Sequence, residues 1–295
     1  LTPTDHINLR IGGHPDPDGD PSSHLLGGDI AEILIYSREL SEAERHQVGE
    51  YLEAKYNLTT AYVTADPTGV RFSHSGSADP DTEGWLYGHR NNIWDDDPNC
   101  SDGPVTGDSG YDARNIDDGS TAGNTINYLF GGLTVEEREA AANNGWILRV
   151  RARVVEPQVL TSSSQSVTFE STHPSFLKRF TMYLGADAGN NAEVGLYDGT
   201  FSNPPLEWNF EHVYHVGSDG YHLYELRYKP AIGKAELYVD GGDTGIEYSG
   251  YENTTGLNRI LWGSNASVAT GNVNYNVVEF EILPETPPGT IFVLR

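Results

Sequence analysis

From residue 70 to residue 282, apolar side chains return at every second position in short runs bounded by turn residues. Side chains with a period of two belong to strands that bury one face and wet the other, and no helix can place them on one side. "GVRFSHSG" opens the series. It continues through "WILRVRARVV", where Ile147 and Arg149 alternate with a buried set, "SVTFES", "FTMYLGA", "AEVGLYDG", "GYHLYELRYKP", "KAELYVDGG", "NRILWGS" and "YNVVEFEIL". "DGG" and "KPAIGK" sit between runs at hairpin spacing. Such a series predicts an all-β chain folded as an antiparallel two-sheet sandwich. The polar stretch at 88–125 reads as loop.

Two short helices interrupt the pattern. Thr134 and Glu137 form a capping box ahead of "VEEREAAANN", and Gly145 supplies the stop. The other helix starts at Ser41 and Glu44, a second capping box, and carries Val48, Tyr51, Leu52 and Lys55 as a stripe at three- and four-residue spacing. It follows two strand patterns, "HINLRIGG" and "GDIAEILIY", with Ile30, Ile33 and Ile35 as candidate core residues. "NLRIGG…GDIAEILIY" also echoes "NRILWGSN…GNVNYNVVEFEIL" near the other end of the chain. The expected organisation is therefore a partial sandwich at 1–58 (two strands and a closing helix), a nearly whole one at 61–283, and a linker or tail at 284–295.

The 43 acidic residues outnumber the 18 basic ones, for a formal charge of -25. A field of that sign repels phosphate backbones and anionic bilayers, so neither nucleic acid nor membrane insertion is expected. Cys100 stands alone, which rules out an intrachain disulfide framework.

"GGDIAEILIYSRELSEAERHQVGEYLEAKYNL" resembles the closing segment of a laminin-G-like, concanavalin A-like jelly-roll domain of bacterial secreted proteins. Gly28 to Glu32, Ser41 to Arg45 and Lys55 to Leu58 carry that resemblance. "FSHSGSADPDTEGW", "YHLYELRYKPAIGKAELYVDG" and "LWGSNASVATGNVNYNVVEFEI" resemble a second domain of the same superfamily. The resemblance implies a jelly-roll fold, an extracellular or cell-surface setting, and further domains of the same polypeptide. It implies activity only loosely, because this fold hosts lectins, adhesion modules, hydrolases and lyases. The leading expectation is a non-catalytic module that binds a polysaccharide or glycoconjugate. A carbohydrate-active hydrolase or lyase and a structural spacer are the alternatives.

Three kinds of candidate residue follow. Glu279 and Glu281 share a strand face, with Glu285 four positions on, and nearly match the E-x-D-x-x-x-E pattern of some jelly-roll glucanases. Glu replaces Asp at the second place and Pro284 interrupts the strand, so catalysis is the weaker reading. For calcium, Asp16, Asp18 and Asp20 alternate like the first ligands of an EF-hand loop, but Pro21 and Gly27 exclude that motif. Asp95, Asp96 and Asp97 form a second oxygen-rich cluster. For sugar contact, Trp94 stands in a polar loop, Trp208 in "NPPLEWNF", and Tyr251 and Asn253 in "SGYENTTG"; a ring can stack on a sugar's apolar face while an amide orients its hydroxyls. Trp85, Trp146 and Trp262 lie in or beside strand patterns and read as core. His212, His215 and His222 have no strand-face spacing and no evident carboxylate partner, which argues against zinc.

Overall fold

The computed structural model describes residues 67–89, 100–119, 126–158, 160, 165–174, 176–202, 207–264 and 271–285, with the backbone alone at 88–89, 100, 201–202 and 207–208. It also describes Val48, Leu52, Lys55 and Tyr56, which are helical and fall within the predicted closing helix. The chain divides into two compact units, Leu1–Thr64 and Ala65–Arg295. The rest of the predicted partial sandwich at 1–58 and most of the tail at 284–295 lie outside the described residues.

In the second unit the described strands are β1 (Gly69–Ser75), β2 (Leu86–His89), β3 (Cys100–Asp108), β4 (Tyr111–Asp118), β5 (Ile126–Phe130), β6 (Trp146–Val154), β7 (Gln165–Glu170) and β8 (Lys178–Ala186). They continue with β9 (Ala192–Ser202), β10 (Glu207–His215), β11 (His222–Lys229), β12 (Lys234–Val239), β13 (Gly242–Tyr248), β14 (Tyr251–Glu252), β15 (Arg259–Gly263) and β16 (Gly271–Ile282). They form two antiparallel sheets. The first runs β13-β12-β11-β6-β16-β4-β3 with β1 also on β16, and the second runs β10-β9-β8-β7-β15-β5-β2 with β14 on β8. The sheets share one apolar interior, as a jelly-roll sandwich requires. Among the described residues no helix is long and apolar enough to cross a membrane.

The period-two pattern does what it predicts. In β6, Trp146, Leu148, Val150, Ala152 and Val154 are buried while Arg149, Arg151 and Arg153 face away from the core. Trp85, Trp146 and Trp262 are core residues, at 2%, 0% and 0% exposure. Trp146 stacks on Tyr228 with ring centroids 5.5 Å apart and meets Phe169 edge-on at 5.1 Å. Such contacts add to the burial of large rings, which alone contributes several kcal/mol in a core of this kind.

The helix Val135–Asn144 carries both halves of its capping box: Glu137 N donates to Thr134 Oγ1 at 3.2 Å and Thr134 N donates to Glu137 Oε2 at 2.8 Å. Gly145 ends it at φ 96°, ψ 172°, a region that side chains avoid.

One expectation needs correcting. Much of the polar stretch at 88–125 is strand: β3 and β4 make a hairpin at the edge of the first sheet, turned by Ser109 and Gly110 at φ 51° and 86°. Two successive positive φ values are what a tight two-residue hairpin turn demands. β3 carries Pro104, which an edge strand tolerates because one side of it needs no ladder bonds.

Candidate functional site

The outward face of the first sheet gathers charge from strands far apart in sequence. Register places Glu225 of β11 and Glu279 of β16 opposite Arg149 of β6, and the next pairs set Leu223 and Val277 opposite Arg151. Asn274 lies opposite Arg153 and Asn115. β16 is long enough to serve three neighbours: it runs beside β6, pairs with β4 through Tyr275, and pairs with β1 from Val277 onward. Asn276 sits at that change of partner, in the bulge between Tyr275 and Val277.

At one end of the face, Arg149 holds three carboxylates. Its Nε lies 2.8 Å from Glu225 Oε1, and its Nη1 lies 2.5 Å from Glu279 Oε1 and 2.6 Å from Glu281 Oε2. Glu225, itself buried, also takes Arg227 at 2.6 Å. Burial works against the Arg149 charge, but the bonds to Glu281, Glu225 and Glu279 outweigh it and raise its pKa further. Burial likewise opposes ionisation of Glu225, yet Arg227 and Arg149 hold its carboxyl below the usual range. The two weak catalytic candidates, Glu279 and Glu281, are therefore brought together, each within 2.6 Å of one guanidinium nitrogen. Arg149 thus stands between them, whereas glycoside cleavage needs two carboxyl groups flanking a scissile bond. Glu285, beyond Pro284, lies outside the strand.

At the other end the centre is Asp108, at the tip of the unforeseen hairpin. Its Oδ2 accepts from Asn274 Nδ2 at 2.8 Å and Tyr221 Oη at 3.1 Å, and its Oδ1 accepts from Arg153 at 2.7 Å and Ser109 at 3.3 Å. Asn115 Nδ2 donates to both Asn272 and Asn274 at 2.7 Å. Burial opposes the Asp108 charge, but Asn274, Tyr221 and Arg153 carry its pKa below the ordinary value. Four bonds fill a carboxylate's acceptor capacity, so Asp108 acts as a support for its neighbours.

Those neighbours are Tyr111 and Arg151. The Tyr111 ring stays 38% exposed, 4.9 Å from the Tyr221 ring and with the Arg151 guanidinium 5.4 Å from its centroid. Arg151 Nη1 donates to Asn276 Oδ1 at 3.3 Å, and Asn276 is pinned in turn by Nδ2 on the Asp112 carbonyl at 2.7 Å. The result is an open aromatic ring beside a cation, both held by a bonded frame.

The sequence-predicted sugar contacts fall elsewhere. Tyr251 is in β14 of the second sheet, its hydroxyl 3.1 Å from Thr181 Oγ1, its ring 4.9 Å from Tyr197 and 5.3 Å from the Arg179 guanidinium. Asn253 is 2% exposed: its amide donates to the Ser171 and Leu257 carbonyls at 3.0 and 2.7 Å, and its carbonyl accepts from Thr255 Oγ1 at 2.7 Å. In this fold the polar groups of both are engaged in packing and a turn. Trp208, in β10, pairs through its backbone with Phe201 of β9. Trp94, Asp16, Asp18, Asp20, Asp95, Asp96 and Asp97 lie outside the described residues. All three histidines do have carboxylate partners, contrary to expectation: His212 with Glu211 at 3.9 Å, His215 with Glu193 at 2.6 Å and His222 with Asp240 at 2.7 Å.

A cavity of about 170 Å³ opens among Asp117, Asp118, Glu156, Gln158 and Asn272. Burial, then the charge of Glu156, raises the Asp117 pKa. Among the described residues no group of three or more His, Cys, Asp or Glu side chains is arranged to hold a metal ion.

Sequence reasoning missed Tyr111, Arg151 and Tyr221. A signal existed, since "RVRAR" places three of only 18 basic residues on one strand face of a strongly acidic chain.

No protein-family model and no curated protein sequence matches the chain. Its fold is similar to that of a carbohydrate esterase from the Shiga toxin-encoding bacteriophage phi24B, at 12% identity and a TM-score of 0.53, over 72% of this chain and 99% of that one. A Bacillus licheniformis β-glucanase aligns at 12% identity and a TM-score of 0.40, over 71% and 98% of the two chains. The exoplasmic domain of VIP36, in a Ca2+/Man3GlcNAc-bound form, aligns at 11% and 0.39, over 74% and 92%. The architecture is an antiparallel two-sheet jelly-roll sandwich.

Proposed function

We propose that the chain is a non-catalytic carbohydrate-binding module of a larger secreted bacterial polypeptide, and that it grips its ligand on the outward face of the first sheet. The observation that supports this is the Tyr111 ring, open to solvent and fixed by Tyr221, Arg151 and the Asp108 frame. An aromatic surface held rigid beside hydrogen-bond donors is the chemistry of sugar recognition, since stacking takes the apolar face of the ring and the donors take its oxygens. The binding reading is favoured over hydrolysis by Arg149, whose guanidinium engages both Glu279 and Glu281 where a scissile bond would have to sit. Calcium enters only through Asp16, Asp18, Asp20, Asp95, Asp96 and Asp97, as an expectation.

Affinity electrophoresis of the chain through a panel of soluble polysaccharides, with and without calcium, tests the proposal. Retardation by at least one polymer is expected, reduced tenfold or more by Tyr111→Ala. Release of reducing ends or unsaturated products, abolished by Glu281→Gln, would overturn it in favour of an enzyme. A chain retarded by no polymer would point to a spacer.

A further inference from the structure

On the outward face of the first sheet, the charge of Arg151 is unanswered by any carboxylate among the described residues. Arg149 is surrounded by Glu225, Glu279 and Glu281, Arg227 holds Glu225, and Arg153 holds Asp108 and Asp219. Arg151, between them on the same strand, has no carboxylate partner among the described residues. Its contacts are the Asn276 amide oxygen and the Tyr111 ring, both uncharged. Each carboxylate in the rows on either side is already engaged by another arginine, so none competes for this one.

We propose that Arg151 receives the anionic group of the ligand, and that the module selects an acidic glycan, one bearing uronic-acid carboxylates. This deepens the proposed function and rests on it. A guanidinium presents five N–H donors in a planar fork that matches a carboxylate's two oxygens. Here one donor goes to Asn276, and the others are free to meet a ligand. The stem runs between Leu223 and Val277, opposite it on the two neighbouring strands, which limits the swing of the fork. Asn276 and Tyr111 fix where it points, and Tyr111 places a stacking surface beside it. A uronate offers both complements at once, a pyranose face and a carboxylate on one ring.

The net charge of -25 argues the other way at long range. At physiological salt, charges more than about 8 Å apart are largely screened, so the groups beside the ligand decide. The carboxylates Glu225, Glu279 and Asp108, in the rows on either side of Arg151, are bonded to cations.

The test is an array of glucuronate, galacturonate, mannuronate and guluronate oligosaccharides, each printed beside its carboxyl-reduced, neutral counterpart. The full chain should bind at least one acidic series tenfold or more above its neutral twin. Arg151→Gln should abolish that difference while leaving the urea midpoint unchanged, and Arg151→Lys should restore part of it. Equal binding to acidic and neutral twins would overturn this inference and leave the carbohydrate-binding proposal standing. Binding to neither series would also overturn this inference, while the wider polysaccharide panel decides the carbohydrate-binding proposal. Because the comparison of twins uses the native chain alone, the outcome does not depend on the variants folding.

Discussion

Replacing Arg149 by methionine keeps most of the aliphatic stem in place and removes the one charge that Glu225, Glu279 and Glu281 share. Glu225 would keep Arg227, but Glu279 and Glu281 would face each other with no cation between them. Their oxygens both touch one nitrogen, so they lie within about 5 Å of each other, where two like charges repel by about 3 kcal/mol at an effective dielectric of 20. Breaking a fully buried ion pair costs about 3–5 kcal/mol. Arg149 is 23% exposed and the two glutamates 25%, so water relieves part of that cost. We expect a loss of about 3 kcal/mol at pH 7, and a fall in melting temperature of roughly 6–12 °C for a unit of this size.

Urea unfolding followed by tryptophan fluorescence reads this directly, since Trp146 is wholly buried beside the cluster. Acid should narrow the gap. In the native chain the Glu225 pKa is depressed, so the stability it contributes is present above its unfolded value and is lost as pH falls through its folded one. The variant lacks the Arg149 share of that contribution and so has less to lose. Adding Glu279→Gln and Glu281→Gln should restore most of the loss at pH 7. A cost below about 1 kcal/mol, a gap unchanged at pH 4, or no recovery in the triple variant would refute the reasoning.

Two further outcomes follow from the interior. His74 is fully buried, stacked on Trp262 at 4.9 Å with Nδ1 2.6 Å from Glu83 Oε2, and burial lowers its pKa against the opposing pull of Glu83. The unfolded chain therefore takes the proton first, so stability held above about pH 6.5 should drain as pH falls below that value, by at most about 1.4 kcal/mol per pH unit. His74→Phe should flatten that slope in denaturation at matched pH, and an unchanged slope would refute the assignment. Gly145→Ala should cost at least about 2 kcal/mol, because at φ 96° a β-carbon is strained and would stand 2.6 Å from the Tyr228 carbonyl. A melting temperature within 1 °C of the native value would contradict this, on the usual scale of about 2–4 °C per kcal/mol.

Much of the fold could be read residue by residue because its causes are local. Alternation in "WILRVRARVV" states which side chains of β6 go inward, and the Thr134–Glu137 box and Gly145 bound a helix without help from elsewhere. The β3–β4 hairpin was not legible, because β3 is polar and carries Gly103 and Pro104, and only its ladder to β4 makes it a strand. Tyr251 and Asn253 looked available in sequence, yet their burial depends on Thr181, Tyr197 and Ser171, which lie more than fifty residues away.

The sequence by itself determined that this protein is a β-sandwich with aromatic layers inside, since a period of two and the burial of large rings follow from backbone geometry and water alone. Which charges meet on its outer face was decided only by tertiary structure. Arg149 joins Glu225 and Glu279 across 76 and 130 residues of chain, while Arg151, two positions along the same strand, meets no carboxylate among the described residues. The physical reason is register: a strand fixes the direction of its own side chains, but the hydrogen-bonded ladder fixes what stands opposite them, and a slip of one residue would pair every arginine differently.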